Sequence, residues 1–379
     1  MSHAPTQSLS RRHEFVRRLL TDHSLDALVV TALPNVLYLT NFTGSSAIVV
    51  LTADRLQFIT DFRYVTAIQD MRGTPHECPD LELVIVDGTY DGTLASLLER
   101  MTGARVGFEA GHLTVARHEW LTRTIELVEK APGLVATDGL VERARITKDG
   151  YELHTLRVAA EKLSTVCQGV FEEIRAGRSE LEIAMAVDWR MRRAGFERAA
   201  FDTIVATGAN GALPHAHPGE RKLAEGDLVV LDFGGVYDSY CVDLTRTVSV
   251  GRAGPRSKEV YEAVRKAHDL AIQGVRPGAS RFAIDAAARD ELTRRGLGDA
   301  FGHGTGHGLG IEVHEPPRIS SRRSDATGAD EAVLPGMVFT IEPGAYLPGW
   351  GGVRIEDDVV VTETGVEVLT NVTTELLEL

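Results

Sequence analysis

The first third of the chain combines an amphipathic helical pattern with short apolar runs. Residues 11–25 place Phe15, Leu19 and Leu20 on one stripe, which predicts a helix. Four apolar runs bounded by Asn, Gly, Asp or Pro follow, and they predict strands at residues 27–30, 36–39, 47–51 and 56–60. Helical patterns such as residues 91–101 are mixed with these strands. This part of the chain is therefore predicted to be an α/β domain.

The rest of the chain alternates long helical patterns with strand signals. Residues 149–175 carry an apolar stripe with a 3.6-residue period, and Ser179 and Glu182 have the spacing of a capping box at the start of a second helix. Further helices are predicted at 257–274 and 280–295, and strands at 202–207, 227–233, 240–248, 337–341 and 353–362. A loop-like stretch at 130–138 precedes this change. We therefore predict two domains, residues 1–140 and 141–379.

Composition narrows the classes of function. The chain has 54 acidic against 40 basic residues, a formal net charge of −14, which disfavours nucleic-acid binding. No apolar stretch is long enough for a membrane span, and the N-terminus has no apolar core of a secretory signal, so the cytoplasm is expected. Cys78, Cys167 and Cys241 are far apart and are expected to be small buried side chains in a reducing compartment.

Two predicted strands flank a turn and carry a pair of carboxylates. If Tyr237 and Asp238 are the turn residues, Asp232 and Asp243 face each other across the hairpin, with Cβ atoms about 5 Å apart. Two carboxylates that close repel each other unless a proton or a cation lies between them. Acidic residues beside a hairpin turn are often simply solvated, so this pair alone does not indicate a metal site. The residues farther along the chain make a metal site the better interpretation.

Three histidines, His303, His307 and His314, occur within the glycine-rich stretch GHGTGHGLGIEVHEPP. Histidine is a common metal ligand and general acid or base. The glycines permit a backbone path that a helix or a regular strand would not. The spacing indicates a functional loop, but by itself it does not say which of the three histidines binds a metal.

Two glutamates lie within strongly apolar strand patterns, Glu342 in MVFTIEPGAY and Glu356 in GVRIEDDVVVT. A buried carboxylate is costly unless it is paired or coordinates a cation. Arg354 is two residues before Glu356 and is predicted to project from the same face. Four carboxylates and one imidazole form an oxygen-rich set, which favours manganese, cobalt or ferrous iron over a cysteine-based structural zinc site, with catalytic zinc still open. Two such ions suit hydrolysis by an activated water.

The order Asp–Asp–His–Glu–Glu resembles that of the pita-bread metallopeptidases, which include methionine aminopeptidase, aminopeptidase P and prolidase. These five side chains lie in the motifs LDFGGVYDSYCVDLTRT, GHGTGHGLGIEVHEPP, TIEPGAY and GVRIEDD. The resemblance is strong over residues 140–379. YLTNFTGSSA and TDFRY are similar to the creatinase-type N-terminal domain of the proline-specific members. The resemblance implies a creatinase-like α/β domain, a pita-bread catalytic domain with a curved antiparallel sheet, and a homodimer.

The resemblance also implies which side chains hold two divalent metal ions. They are Asp232, Asp243, His307, Glu342 and Glu356. Asp243 and Glu356 resemble the bridging ligands, and Asp232 resembles a ligand that chelates one ion. Glu342 resembles a ligand that also moves the proton during hydrolysis.

Four further residues are implied to lie on the substrate side of the metals: His215, His303, His314 and Arg354. His314 resembles the histidine that contacts the scissile carbonyl, and His215 and His303 resemble other substrate-site histidines. Arg354 resembles an active-site arginine of the proline-specific enzymes. His307 is preferred over His303 as the metal ligand only through its seven-residue spacing to His314.

Together these features predict a peptidase that cleaves Xaa-Pro bonds in small peptides with proline at the second position. The compact length favours an Xaa-Pro dipeptidase (prolidase), and aminopeptidase P, which acts on longer peptides, is the alternative. Arg318 is a candidate contact for the proline carboxylate, or a plain surface arginine. Methionine aminopeptidases generally lack the N-terminal domain. Creatinase and non-catalytic, peptidase-like binding modules replace metal ligands, and all five are present here.

Overall fold

The computed structural model describes residues 3–322 and 332–379. Contacts between residues divide the chain into two compact units, Met1–Arg145 and Ile146–Leu379. The assignment of residues 1–140 and 141–379 as separate domains stays a prediction. Within the described ranges, no helix is both long enough and apolar enough to cross a lipid bilayer.

The first unit is built on a six-stranded mixed sheet. Its helices are α1 Thr6–Asp22, α2 Leu33–Thr40, α3 Phe62–Asp70, α4 Tyr90–Leu98, α5 Val115–Ile125 and α6 Leu140–Ile146, the last of which ends one residue into the second unit. Its strands are β1 Ala27–Val30, β2 Ile48–Thr52, β3 Leu56–Thr60, β4 Leu81–Ile85, β5 Arg105–Glu109 and β6 Gly133–Thr137. The strand order is β4-β3-β2-β1-β5-β6, with β2 antiparallel to both of its neighbours and the other pairs parallel. The predicted α/β character is confirmed.

One predicted strand of this unit is wrong, because residues 36–39 lie in helix α2. Pro34 stands in the first turn, where its missing N–H costs nothing. Asn41 ends the helix in the left-handed conformation, with φ 63°. Val36 and Leu39 are fully buried and three residues apart, so they share one helical face. A run of four apolar residues does not distinguish a strand from a buried helical turn.

The second unit combines four long helices with antiparallel sheets. Its helices are α7 Gly150–Val170, α8 Glu180–Ala194, α9 Pro255–Gly274 and α10 Arg281–Arg294. Its strands are β7 Arg198–Ala199, β8 Ile204–Thr207, β9 Leu228–Tyr237, β10 Tyr240–Ser249, β11 Gly306–Gly308, β12 Glu315–Ile319, β13 Val338–Ile341, β14 Gly344–Leu347, β15 Gly351–Arg354, β16 Asp357–Val361 and β17 Val366–Val368. The predicted capping box of α8 is confirmed, since Ser179 and Glu182 bond each other's backbone N–H groups.

The strands of the second unit form sheets in the orders β10-β9-β7, β12-β11-β13-β16-β17 and β14-β15, and β8 also pairs with β9. Every strand pair in the described part of this unit is antiparallel, as predicted for the catalytic sheet. A bridge between Thr245 and Glu356 joins β10 to the residue that precedes β16. All ten residues of β10 are buried, so its polar side chains need partners inside the fold.

The register of the β9–β10 hairpin differs from the prediction. The turn residues are Asp238 and Ser239, with φ 49° and 69°, and Tyr237 pairs with Tyr240. A two-residue hairpin turn with both central residues at positive φ favours short polar side chains such as Asp, and disfavours Tyr. Asp232 consequently lies opposite Thr245 instead of Asp243. The predicted register is wrong by two residues. Because side chains alternate between the two faces of a strand, an even shift leaves both aspartates on one face of the hairpin.

Candidate metal centre

The β9–β10 hairpin brings two acidic side chains into the interior. Asp232 and Asp243 are only 8% and 4% exposed. In each of them the Oδ1 atom is buried and has no hydrogen-bond partner among the described residues. Buried polar atoms are rarely left unpaired in a folded protein. Both oxygens therefore have free lone pairs in a place where only a bound ligand or cation would satisfy them.

Thr245 connects this hairpin to Glu356. Its hydroxyl donates to Glu356 Oε2 at 2.6 Å, and the Glu356 N–H donates to the Thr245 carbonyl at 3.1 Å. Glu356 is 2% exposed, and its carboxylate is thereby held beside the two aspartates. Thr245 was not among the site residues predicted from the sequence. The available signal was its place two residues after Asp243, on the same strand face.

His307 lies in the middle of the short strand β11 between two glycines. A Cβ atom on Gly306 would lie 1.8 Å from the Thr340 carbonyl oxygen, and one on Gly308 would lie 2.3 Å from the Pro316 carbonyl oxygen. Any larger residue at either position would push the neighbouring strands apart. The glycines thus allow the backbone of His307 to come close to both neighbours.

The imidazole of His307 presents one ring nitrogen to the carboxylates. Its Nδ1 lies 3.1 Å from the Gly308 carbonyl oxygen, so Nδ1 carries the proton and donates it. The other nitrogen, Nε2, lies 3.9 Å from Asp243 Oδ2 and 3.6 Å from Glu342 Oε1. A metal-bound histidine commonly has this arrangement, with one ring N–H bonded to a carbonyl and the other nitrogen directed at the ion.

The charges of this cluster are not balanced within it. Asp243, His307 and Glu356 each offer a ligand atom, and these atoms lie within 4.8 Å of one another. Burial, reinforced by neighbouring carboxylates, raises the pKa of Asp243 and of Glu356 well above its usual value. Burial also raises the pKa of Glu342 to about 8, and it lowers the pKa of His307 to about 4, which keeps the imidazole neutral. These oxygen and nitrogen donors fit divalent cations.

The raised pKa of Glu342 predicts how the metal-free protein responds to pH. The native carboxyl keeps its proton up to about pH 8, whereas the unfolded one loses it near the ordinary value of 4.5. Its contribution to stability is therefore fully present below about pH 4.5 and is lost as pH rises to about 8. In chelator, the free energy of unfolding of the wild type should fall relative to Glu342→Gln between pH 6.5 and 8, measured by denaturant titration. A difference that does not change with pH would contradict the prediction. Comparing the two proteins cancels the contributions of titrating groups that do not interact with Glu342.

A chain of hydrogen bonds runs along one side of the cluster. Arg354 Nη1 donates to the Tyr346 hydroxyl at 2.6 Å, and this hydroxyl lies 2.9 Å from His303 Nε2. His303 Nδ1 lies 2.8 Å from the Gly304 carbonyl, so Nδ1 is the donor and Nε2 accepts from Tyr346. Arg354 also donates to Asp232 Oδ2. Tyr346 was not among the site residues predicted from the sequence. The Pro-Gly pair at 348–349 was the available signal, since a turn there brings Tyr346 back towards Arg354.

Three further residues lie on a more open side. The ring centroids of His307 and His314 are 4.3 Å apart. Burial lowers the pKa of His314, and the nearby guanidinium of Arg318 lowers it further. Arg318 is paired in register with His307 across β11 and β12. His215, His314 and Arg318 have exposed side chains, so this side of the cluster can be reached from solvent.

The predicted site residues therefore fall into two groups. The structure brings ligand atoms of Asp243, His307 and Glu356 within 4.8 Å of one another, with Glu342 Oε1 3.6 Å from His307 Nε2. It places Asp232 on the same hairpin face as Asp243, in contact with Arg354. Three of the residues expected on the substrate side lie beside this cluster. His303 contacts Tyr346, His314 packs against His307, and His215 is near enough to influence the pKa of His303 and His314. Two geometric expectations are wrong. Asp232 lies opposite Thr245 instead of Asp243, and the strand predicted at 353–362 is divided into β15 and β16, with Glu356 outside both.

Comparison with known proteins identifies the family. The model of metallopeptidase family M24 matches residues 154–363, and that of the Creatinase/Prolidase N-terminal domain matches residues 12–147. The chain belongs to metallopeptidase family M24. The match confirms the predicted family, its fold class and its enzyme class, a metal-dependent hydrolase.

Relatives within the family are similar over most of the chain. An Xaa-Pro dipeptidase of Pyrococcus furiosus is 42% identical over 241 residues, which is 63% of this chain and 67% of the relative. The structure of an Xaa-Pro dipeptidase from Bacillus anthracis has a TM-score of 0.89 and 35% identity, covering 97% of this chain and 99% of the other. An X-Pro aminopeptidase from Thermotoga maritima has a TM-score of 0.84 and 32% identity, covering 96% and 99%. The relatives support the Xaa-Pro branch of the M24 family.

Proposed function

We propose that the protein is a two-metal hydrolase of Xaa-Pro dipeptides. The observation that carries this is a cluster of four carboxylates around a neutral His307: Asp232, Asp243, Glu342 and Glu356. Arg354 pairs with Asp232, and among the described residues the other three carboxylates form no ion pair with a lysine or arginine. Divalent cations would balance their charge. On one side of this cluster His215, His314 and Arg318 are exposed, so a small peptide could approach from there. The named relatives, most of them dipeptidases, support the same substrate class.

The metal ions, when bound, would polarise the scissile carbonyl and make a water more acidic. His314 would donate a hydrogen bond to the carbonyl oxygen of the scissile bond from its exposed imidazole. Glu342 would accept a proton from the attacking water as the water oxygen bonds to the carbonyl carbon. It would then deliver that proton to the proline nitrogen as the C–N bond breaks.

Proline at the second position sets particular demands on the site. An Xaa-Pro amide nitrogen carries no hydrogen, so the site needs no acceptor for one. Only one isomer of this bond fits a rigid site, and we expect it to be trans, which predominates in peptides. In a dipeptide the proline also carries the free carboxylate. Arg318 is the exposed cation that lowers the pKa of both His307 and His314, and we propose that it binds that carboxylate.

The substrate prediction is tested with Ala-Pro, Ala-Pro-NH2 and Ala-Pro-Ala in manganese. We expect cleavage of Ala-Pro only, and Arg318→Gln should lower kcat/KM for it by about 10- to 100-fold, mostly through KM, because one charge-assisted contact is lost. Arg322→Gln is the matched control, since Arg322 is exposed four residues along and lies over the Phe282 ring. Equal cleavage of Ala-Pro-Ala would indicate an aminopeptidase instead, and activity that survives complete chelation would contradict the two-metal proposal.

Three further proposals accompany this function. Manganese is proposed as the ion, because four carboxylates and one imidazole form a hard donor set. The cytoplasm is proposed as the location, since Cys78, Cys167 and Cys241 are free and buried, as suits a reducing compartment. The homodimer is proposed from the family resemblance alone.

A further inference from the structure

The segment that carries His303 and His307 has few side chains with which to hold its own shape. Every second residue from 302 to 308 is glycine. Glycine has the largest conformational freedom in the unfolded chain and offers no side chain for packing. Fixing two imidazoles on such a segment therefore requires contacts from outside it. Helix α10 supplies them.

Arg289 on α10 donates to the backbone on one side of Gly304. Its Nη1 donates to the Phe301 carbonyl at 3.1 Å, and its Nη2 donates to the His303 carbonyl at 2.8 Å. The guanidinium also lies 4.4 Å from the centre of the Phe301 ring, which in turn makes an edge contact with the His303 ring at 5.0 Å. Arg289 thus touches the backbone of His303 and the ring that supports its imidazole, without reaching the metal cluster itself.

Asp285, one turn earlier on α10, accepts from the backbone on the other side of Gly304. Its Oδ1 accepts from the Thr305 N–H at 3.1 Å and from the Thr305 hydroxyl at 2.8 Å. The Thr305 carbonyl then accepts from the Glu342 N–H at 2.7 Å. Asp285 is 1% exposed, and Arg289 bonds both of its carboxylate oxygens at 2.9 Å. Bidentate pairs of this kind fix orientation as well as charge.

We propose that Asp285 and Arg289 are positioning residues for the two sides of the active site. Arg289 places His303, which faces the substrate, and Asp285 places Glu342, through Thr305. This inference rests on the proposed function, since it takes His303 as a substrate contact and Glu342 as a metal ligand that moves a proton. The two members of a single ion pair should then have different kinetic effects.

The test compares Arg289→Gln and Asp285→Asn in the manganese-loaded enzyme with Ala-Pro as substrate. Partners behind active-site residues usually contribute about 10- to 100-fold, and we expect changes of that size. Arg289→Gln should raise KM with kcat little changed. Asp285→Asn should lower kcat with KM little changed and should weaken the binding of Mn²⁺, measured by calorimetry. Arg294→Gln is the matched control, because its ion pair with Glu291 lies on the same helix and is exposed on the arginine side.

Two results would overturn the proposal. One is an equal fall in kcat for both variants with KM unchanged, because that reports only a smaller folded fraction. The other is an effect of Arg294→Gln as large as theirs. If Asp285→Asn does not fold, Thr305→Val removes only the hydroxyl bond to Asp285 and should still lower kcat alone, while a normal kcat would count against the proposal.

Hydrogen exchange separates this proposal from the proposed function. In the metal-free protein, the amides of Thr305 and Glu342 should exchange faster in Asp285→Asn than in the wild type, whatever the substrate is. Unchanged exchange at both amides would overturn the positioning role even if Ala-Pro is cleaved. Faster exchange in a protein that cleaves no Xaa-Pro bond would support the positioning role and reject the proposed function.

Discussion

Asp243→Asn should abolish peptidase activity and at the same time make the metal-free protein more stable. Its carboxyl is buried, and burial together with Asp232, Asp358 and Glu342 raises its pKa well above the usual value. Ionising it in the absence of metal is therefore unfavourable, and a neutral amide of the same shape removes that cost. We therefore expect the variant to have a higher free energy of unfolding than the wild type near pH 8, where the unfolded wild-type chain is ionised at this position. The gain should disappear near pH 4, where the carboxyl is protonated.

The same substitution removes an oxygen ligand of the proposed metal site. Activity should fall on the order of 1000-fold or more, equivalent to several kcal/mol of lost transition-state stabilisation. Manganese should raise the melting temperature of the wild type and have little effect on the variant. Denaturant titrations and thermal melts with manganese or chelator measure both effects. Asp202→Asn, at an exposed position of the second unit, is the control. A variant that is less stable than the wild type in chelator would show that Asp243 has a structural partner instead of a missing cation.

The hairpin shows what the sequence could and could not predict about this site. Alternation along β9 and β10 correctly placed Asp232 and Asp243 on one face, because side chains alternate strictly along a strand. The predicted pairing was wrong by two residues, because the register of a hairpin depends on which residues occupy its turn. The prediction placed Tyr237 and Asp238 in the turn, whereas Asp238 and Ser239 occupy it, both at positive φ. Local pattern therefore predicted the face but not the facing residue.

Contacts between distant parts of the chain were beyond the sequence. Tyr346 joins Arg354 to His303, and Asp285 joins α10 to Thr305. No periodic pattern encodes such contacts, because they depend on how whole elements pack. The choice of His307 over His303 likewise rested on family resemblance. In the structure the two differ physically: Nε2 of His303 accepts from Tyr346, whereas Nε2 of His307 is directed at carboxylates.

Arg354→Met should destabilise the metal-free protein by about 3–5 kcal/mol, the usual cost of removing one partner from a buried ion pair. Arg354 is 3% exposed and donates to Asp232, to the Tyr346 hydroxyl at 2.6 Å and to the Thr245 hydroxyl at 3.3 Å. Burial alone would lower the pKa of this guanidinium, but Tyr346 and the surrounding carboxylates raise it instead, so it stays charged. Its removal leaves Asp232 buried without a counter-charge.

An ion pair on the surface is the control, because it has the same charges as Arg354 and Asp232 without their burial. Arg157 makes a bidentate pair with Glu367 at 2.9 and 2.7 Å, and the two side chains are 45% and 39% exposed. Arg157→Met should therefore cost less than about 1 kcal/mol. Equal costs for the two substitutions would contradict the prediction.

The double variant Asp232→Asn with Arg354→Met should be more stable than Arg354→Met alone, because neither buried charge is then left unpaired. Saturating manganese should also recover part of the loss in Arg354→Met, since a bound cation would balance Asp232 in place of the guanidinium. Both recoveries are measured as free energies of unfolding by denaturant titration. If neither occurs, the cost comes from lost packing around the arginine stem, and Arg354 would not be the group that balances the carboxylates of the metal-free site.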